Sequence, residues 1–305
     1  MDTILETFFD PILPVFFIML VGFIMAKFSI FDDFAAKAIN KFVFYAAMPA
    51  LIFNLISRAD FSGIDHRIIL IYCLVEVSVF ALGTALTRLY CKRSLSESLL
   101  LGMTACFVNH AFFILPIAAI IYGDKAVTLI TVIIAIDTTV LFGSIITGLE
   151  VARANNSSIG TIGRALVYNP VLIAITLGLL VNLANIPLHN GIHTYTSFVG
   201  NAAAPTSLFC LGIILAKESG RFFDPAALSV ILLKILIFPL IVLAAKAHLF
   251  GVDPILGNSL LMVASGPCGA MPFVLALQYR VPPESIGRAI LYSTILSLFT
   301  LSIIV

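Results

Sequence analysis

The sequence predicts an all-α protein that crosses a membrane many times, and three observations carry that prediction. Of its 305 residues, 61% are hydrophobic and 11% charged, against about 25% charged in an ordinary soluble domain. Apolar runs recur at lengths near the roughly 20 residues a helix needs to cross hydrocarbon. The strict alternation of apolar and polar residues that marks a membrane β-barrel is absent. A mean hydropathy of +1.12 is out of reach for a soluble globule, whose surface must be largely polar. The net charge of +1 offers no field to hold a polyanion, so no nucleic acid partner is expected. The expected surroundings are the lipid bilayer.

Reading between charges gives ten candidate spans, at about 11–27, 42–57, 68–87, 98–123, 126–149, 165–187, 194–216, 225–245, 254–279 and 286–305. The first follows Asp2, Glu6 and Asp10, acidic where a signal peptide requires Lys or Arg, so this segment is read as part of the mature chain. The first two are short, with 16 uncharged residues each. The third, fifth and eighth carry Glu76, Asp137 and Lys234 near their middles. The fourth and ninth are the longest discrete spans, 26 residues each from Ser98 to Gly123 and from Pro254 to Tyr279. The sixth and seventh come from one run, Ala165 to Ala216, free of Asp, Glu, Lys and Arg; the turn-like stretch Ile186-Pro187-Leu188-His189-Asn190-Gly191 divides it. Twelve of the 17 Lys and Arg, Lys37 and Lys41 among them, fall in the loops after odd-numbered spans. The positive-inside rule puts those loops in the cytoplasm, with both termini outside it, in a cell (inner or plasma) membrane.

The two halves, 1–150 and 151–305, repeat at a constant offset of 156. Segment 42–53, FVFYAAMPALIF, meets 198–209, FVGNAAAPTSLF, with six of twelve positions identical. Pro14, Pro49 and Pro116 meet Pro170, Pro205 and Pro272, and Glu97 falls on Asp253. Each copy holds five spans, an odd number, so the second threads the membrane the opposite way. Inverted repeats of this kind characterise secondary transporters, with the substrate near the midplane where the copies meet.

The fourth and ninth spans contain helix breakers. Ser265-Gly266-Pro267-Cys268-Gly269-Ala270-Met271-Pro272 holds two glycines and two prolines in eight residues, which no regular helix survives. The fourth span carries a weaker breaking signal, resting on Asn109 and Pro116. Unwound backbone persists in a bilayer only where protein buries it or it lines a cavity. Proline suits the first position of a helix, so half-helices are expected to start at Pro116 and Pro272. Their N-termini would stabilise a partly buried anion by up to about 2 kcal/mol. The expected substrate-binding residues are Asn109, His110, Pro116, Ser265, Gly266, Cys268 and Pro272, and the ligand a small organic anion.

Leu13-Pro14-Val15…Gly22, Asn40-Lys41-Phe42-Val43-Phe44-Tyr45…Pro49-Ala50-Leu51-Ile52-Phe53, Asn109…Pro116 and Ala270-Met271-Pro272 resemble the auxin efflux carrier family of permeases, within the bile/arsenite/riboflavin transporter superfamily. The resemblance covers essentially the whole chain. It implies ten helices in two inverted five-helix repeats, with broken helices 4 and 9 crossing. Helices 1, 2, 6 and 7 would form a scaffold, and helices 3–5 and 8–10 a moving transport domain. It further implies carriage of auxins, malonate or other carboxylates, and a homodimer formed through the scaffold. Where the family's fourth helix often reads Asn-Thr-Gly-Phe-Leu-Gly-x-Pro, this chain has His110, Ala111 and Ile114 at the threonine and glycine positions. That departure points to a different substrate or a tighter crossing. The short stretch between the halves, about 151–164, looks bacterial.

A charge at mid-membrane costs about 2.5–3.5 kcal/mol on insertion scales, so each of the three needs a partner, a proton or water. The repeat sets Glu76 near Lys234, and the two are expected to pair or to form a coupling site. Asp137 has no partner evident in the sequence and is a candidate to carry a proton or cation with the substrate. Five scattered cysteines without a CxxC pair support neither disulfides nor a metal site. No cofactor is expected. An intramembrane enzyme is disfavoured because HExxH, GxSxG and paired membrane aspartates are missing, and no catalytic residue is expected. A membrane sensor or receptor and an anion channel on the same fold remain the alternatives to a carrier.

Overall fold

The computed structural model describes residues 17–59, 65–153, 164, 166–217, 224–247, 251 and 253–304. The acidic start, Pro14 and the stretch 154–163 between the halves lie outside the described residues. Among the described residues the chain is helical throughout, with one isolated β-bridge and no strand. All ten apolar runs carry helix.

Helix ends follow local chemistry. Asp32 accepts from Ala35 N–H at 2.8 Å and starts α2 (Asp33–Phe42) after α1 (Phe17–Lys27). A five-residue π-turn, π1 (Val43–Ala47), joins α2 to α3 (Met48–Ser57). The second run thus begins well before 42, and Lys37 and Lys41 are exposed residues of α2 rather than loop charges. Asp65 caps α4 (His66–Leu89) through Arg67 N–H, and the Arg67 guanidinium, 2.6 Å away, holds its carboxyl down to about 2. Ser94 caps α5 (Leu95–Cys106). After a break come π2 (His110–Ile114) and α6 (Leu115–Tyr122). Then α7 (Asp124–Ile136), π3 (Asp137–Leu141) and α8 (Phe142–Arg153) run on as one rod.

In the second half Asn169 caps α9 (Pro170–Leu183). The 186–191 stretch turns the chain as expected, and His189 caps α10 (Asn190–Gly200), which a turn at Asn201–Ala202 separates from α11 (Ala203–Lys217). Asp224 caps α12 (Pro225–Leu232), continued by π4 (Leu233–Ile237) and α13 (Phe238–Lys246). Asp253 caps α14 (Pro254–Ser265); α15 (Met271–Tyr279) and α16 (Glu284–Ile304) complete the chain. Ser94 and Asp253 each cap a 12-residue helix. Glu97, which the constant offset sets against Asp253, therefore matches a first-turn residue instead. The offset is not constant: Pro116 lies 22 positions after the cap Ser94 and Pro272 19 after the cap Asp253, and the first half sets the π2 turn ahead of its proline.

Two helix groups result. In one, α3 lies against α9 and α10, and α2 against α11. Here α1 crosses α11 backbone to backbone: a Cβ on Gly22 would sit 2.2 Å from the Phe209 carbonyl oxygen, and one on Gly212 2.0 Å from that of Met19. Small residues allow such an approach between membrane helices. In the other group α4 packs on α5 and α13, α14 on α7, α13 and α16, and α12 on α16. Its core, with Leu100, Ile130, Ile133, Met262 and Val263, is fully buried. Exposed Leu228, Leu232, Leu236, Leu240 and Leu243 form a stripe along α12–α13, a face suited to lipid rather than water. The chain is a multi-pass membrane protein.

Candidate functional site

The two breaks meet. Phe107–Asn109 after α5 and Gly266–Ala270 after α14 run antiparallel, bridged at Val108 and Cys268. Asn109 N–H donates to the Pro267 carbonyl at 3.0 Å, and Gly269 N–H to the Phe107 carbonyl at 2.9 Å. Cys268 N–H donates to Ser293 Oγ at 3.1 Å. Unwound backbone at this depth is thereby satisfied internally, as hydrocarbon requires. The glycines are needed for the approach. A Cβ on Gly269 would fall 2.5 Å from the Phe107 ring, and one on Gly266 2.5 Å from Ile114 Cδ1. Ile114, the departure noted in the sequence, fills the space that Gly266 leaves open.

The second half-helices do not both start where the prolines suggested. Pro272 stands in the first turn of α15, as expected. In the fourth span, however, helical backbone resumes at His110, ahead of Pro116, because π2 precedes α6. Pro116 is the second residue of α6, just past a widened turn, where its missing N–H is tolerated.

A cavity of ≈ 670 Å³, including its open part, lies over the crossing. Asn109, His110, Asp137 and Thr138 supply its polar wall, with Phe107, Gly269, Ala270 and Met271 beside them. Met48, Leu51, Ile52 and Leu55 of α3 and Ala204 and Leu208 of α11 form the facing apolar wall. The cavity thus lies between the two helix groups. Of the residues singled out in the sequence, Asn109, His110 and Asp137 line it. Ser265, Gly266, Cys268 and Pro272 are buried behind it; Ser265 Oγ donates to the Leu261 carbonyl at 2.7 Å. Thr138 carries no sequence signal; the apolar wall of α3 and α11 falls largely within the repeated segments 42–53 and 198–209, whose repetition gave no sign of a cavity.

Behind the polar wall lies a cluster of ionisable groups. Tyr72 Oη donates to Asp137 Oδ2 at 2.8 Å and lies 3.3 Å from Glu76 Oε1. His110 Nε2 stands 3.5 Å from both Tyr72 Oη and Asp137 Oδ2. Glu76 and Asp137 thus share the Tyr72 hydroxyl between them. Asp137 therefore has partners the sequence did not reveal. Tyr72 was legible in principle, as a polar aromatic one helical turn before a buried glutamate.

Glu76 and Lys234, expected to pair or to form a coupling site, make no direct ion pair. Lys234, fully buried, donates to the Ala264 carbonyl at 3.0 Å and lies 4.4 Å from the centre of the Phe238 ring. Glu76 turns instead to Tyr72. The ammonium sits against the carbonyl end of α14, the negative end of that helix dipole. Among the described residues no group of His, Cys, Asp and Glu is arranged to hold a metal ion.

At one end of the cleft between the groups, α15 is tied across it. Asn40 donates to the Val274 carbonyl at 3.3 Å and Gln278 to Tyr45 Oη at 3.0 Å. Asn169 donates to Tyr279 Oη at 3.2 Å, and Tyr279 donates to Glu150 Oε1 at 2.7 Å.

Comparison with known proteins follows the same lines. The sequence model of the family described as "Membrane transport protein" matches residues 7–159 and 156–305. A protein of Methanothermobacter thermautotrophicus named "Uncharacterized transporter" is 27% identical, covering 96% of this chain and 95% of its own. The "Putative malonate transporter" of Rhizobium meliloti is 23% identical over 95% of this chain and 92% of its own. "Auxin efflux carrier component 8" of Arabidopsis thaliana is 23% identical over 94% and 93%. These relatives are named as transporters and not as enzymes.

Proposed function

The chain belongs to the membrane transport protein family of auxin efflux carrier permeases, and from that membership we propose that it is a secondary carrier of a small organic anion, a mono- or dicarboxylate such as malonate, working by alternating access. One observation carries the reading: two helix breaks paired antiparallel beneath a cavity that holds Asn109 and His110. Amide and imidazole N–H groups there suit a carboxylate, and the first turn of α15 adds the positive end of a helix dipole. Pro116 and Pro272 act by shaping the breaks, Gly266 and Cys268 by letting them meet, and Ser265 by closing the end of α14.

In this reading residues 1–150 and 151–305 are inverted five-helix repeats. The group built from α1–α3 and α9–α11 (spans 1, 2, 6 and 7) is the scaffold, and it pairs with a second copy to form a homodimer. The group α4–α8 with α12–α16 (spans 3–5 and 8–10) is the moving domain. The cavity lies on the seam where sliding would expose it first to one side and then to the other. The protein resides in the cell membrane with both termini outside the cytoplasm. The similarity to the protein named for malonate supports a dicarboxylate.

The test is uptake into proteoliposomes across a panel of mono- and dicarboxylates. A carrier gives saturable uptake and counterflow of labelled anion. Ohmic current without counterflow would establish the channel alternative, and binding without either would favour a sensor.

A further inference from the structure

We propose that Glu76 and Asp137 form one proton-binding site that loads a proton with each anion, making the protein a proton–anion symporter. The inference rests on the carrier reading above and adds its coupling ion.

A tyrosine has one hydroxyl proton, and an ionised carboxylate can only accept. Tyr72 spends its proton on Asp137 Oδ2 at 2.8 Å. Its contact with Glu76 Oε1 at 3.3 Å then has no donor. Asp137 Oδ1 is likewise buried with no donor against it. A proton on the carboxyl pair supplies what is missing. Both side chains are enclosed, Glu76 4% and Asp137 1% exposed, so bulk solvent contributes little to either.

The groups facing the pair are Tyr72 and Cys73 on its α4 side, Cys106 at the end of α5, His110 on π2, and Lys234 on π4. Lys234 sets its amino group, bonded to the Ala264 carbonyl, in the same cluster. With Lys234 as the ammonium and one proton on the pair, the remaining carboxylate is balanced. Asp137 also lines the cavity beside Asn109 and His110. An anion docking there meets one negative charge if the pair is protonated and two if it is not. Anion and proton therefore strengthen each other's binding, and by linkage the effect is reciprocal. The proton enters from water on one side and leaves to water on the other; no bond but the O–H is made or broken.

The experiment uses the full chain and [14C]malonate in proteoliposomes with the membrane potential clamped at zero. An interior one pH unit more alkaline should accumulate malonate up to about tenfold at one proton per anion, with none in protein-free vesicles. Glu76→Gln keeps a hydrogen-bond donor in place of the proton; it should exchange malonate in counterflow but not accumulate it on the gradient. Glu76→Asp should restore accumulation. In parallel, infrared spectra of the purified protein at neutral pH should show a protonated-carboxyl band that shifts in D₂O and is lost in Glu76→Gln and in Asp137→Asn. Wild-type counterflow without gradient-driven accumulation overturns the proton site and leaves the carrier standing. No counterflow with any carboxylate of the panel overturns the carrier reading; the infrared measurement still decides the site, since a wild-type spectrum without the band, or a band unchanged in both variants, refutes it.

Discussion

Lys234 is the residue whose environment most constrains what can replace it. Its ammonium is fully buried, bonded to one carbonyl and set against one ring. Lys234→Met keeps the length and removes the donor. The Ala264 carbonyl then stays buried without its partner, a loss of about 1–3 kcal/mol. We expect a lower melting temperature in detergent and weaker anion uptake, read together by thermal unfolding and transport. An unchanged melting temperature would mean that the carbonyl finds another donor. At this scale the sequence was informative about presence and uninformative about partners. Glu76, Asp137 and Lys234 stand out in apolar helices because charge is rare there. Their pairing depends on rotation about each helix axis, and the π-turns at Asp137 and Lys234 alter that rotation.

The four π-turns show what that rotation costs and why it occurs. Three of them end two residues before a proline: Pro49, Pro116 and Pro239 each occupy the second position of the following helix. Proline removes an N–H and crowds the carbonyl one turn back, and a widened turn relieves both. The prolines were legible; the extra residue they absorb was not, which is why the start of the fourth span's second half was misplaced at Pro116. The fourth turn has no proline. There Thr138 and Thr139 donate their hydroxyls to the Ile134 and Ala135 carbonyls at 2.6 and 2.7 Å. The crossing of the breaks gives the prediction at this scale. Gly266→Ala drives a methyl into Ile114 and should destabilise by about 1–3 kcal/mol. Adding Ile114→Val or Ile114→Ala should return part of that loss. Melting curves of the single and double variants measure it, and strict additivity would contradict the packing described.

Across the whole molecule, the helix groups touch through an apolar cavity wall and a polar tie at α15. The tie is the more adjustable of the two. Tyr279→Phe removes the bridge from Asn169 to Glu150 while keeping the ring. Losing one or two hydrogen bonds of about 1 kcal/mol each should shift the balance of conformations roughly fivefold or more toward opening at that end. A cysteine introduced as Met271→Cys, labelled with a membrane-impermeant maleimide, reports it: faster labelling from that side is expected, and an unchanged rate would remove the tie from the mechanism. Composition made the helical membrane fold legible, and the breakers marked where the two unwound segments meet. Tyr45, Gln278 and Asn169 did not stand out, since polar residues near span ends are ordinary in any membrane helix.

The mutual hydrogen bonding of Asn109 with Pro267 and of Gly269 with Phe107 also bears on how the protein is made. The ribosome finishes the first break long before the second exists, so a nascent N-terminal half must hold bare peptide groups in lipid or delay inserting its fourth helix. Expressed alone, residues 1–150 should be cleared by membrane proteases, and co-expression with 151–305 should protect them, because each half is the folding template the other lacks.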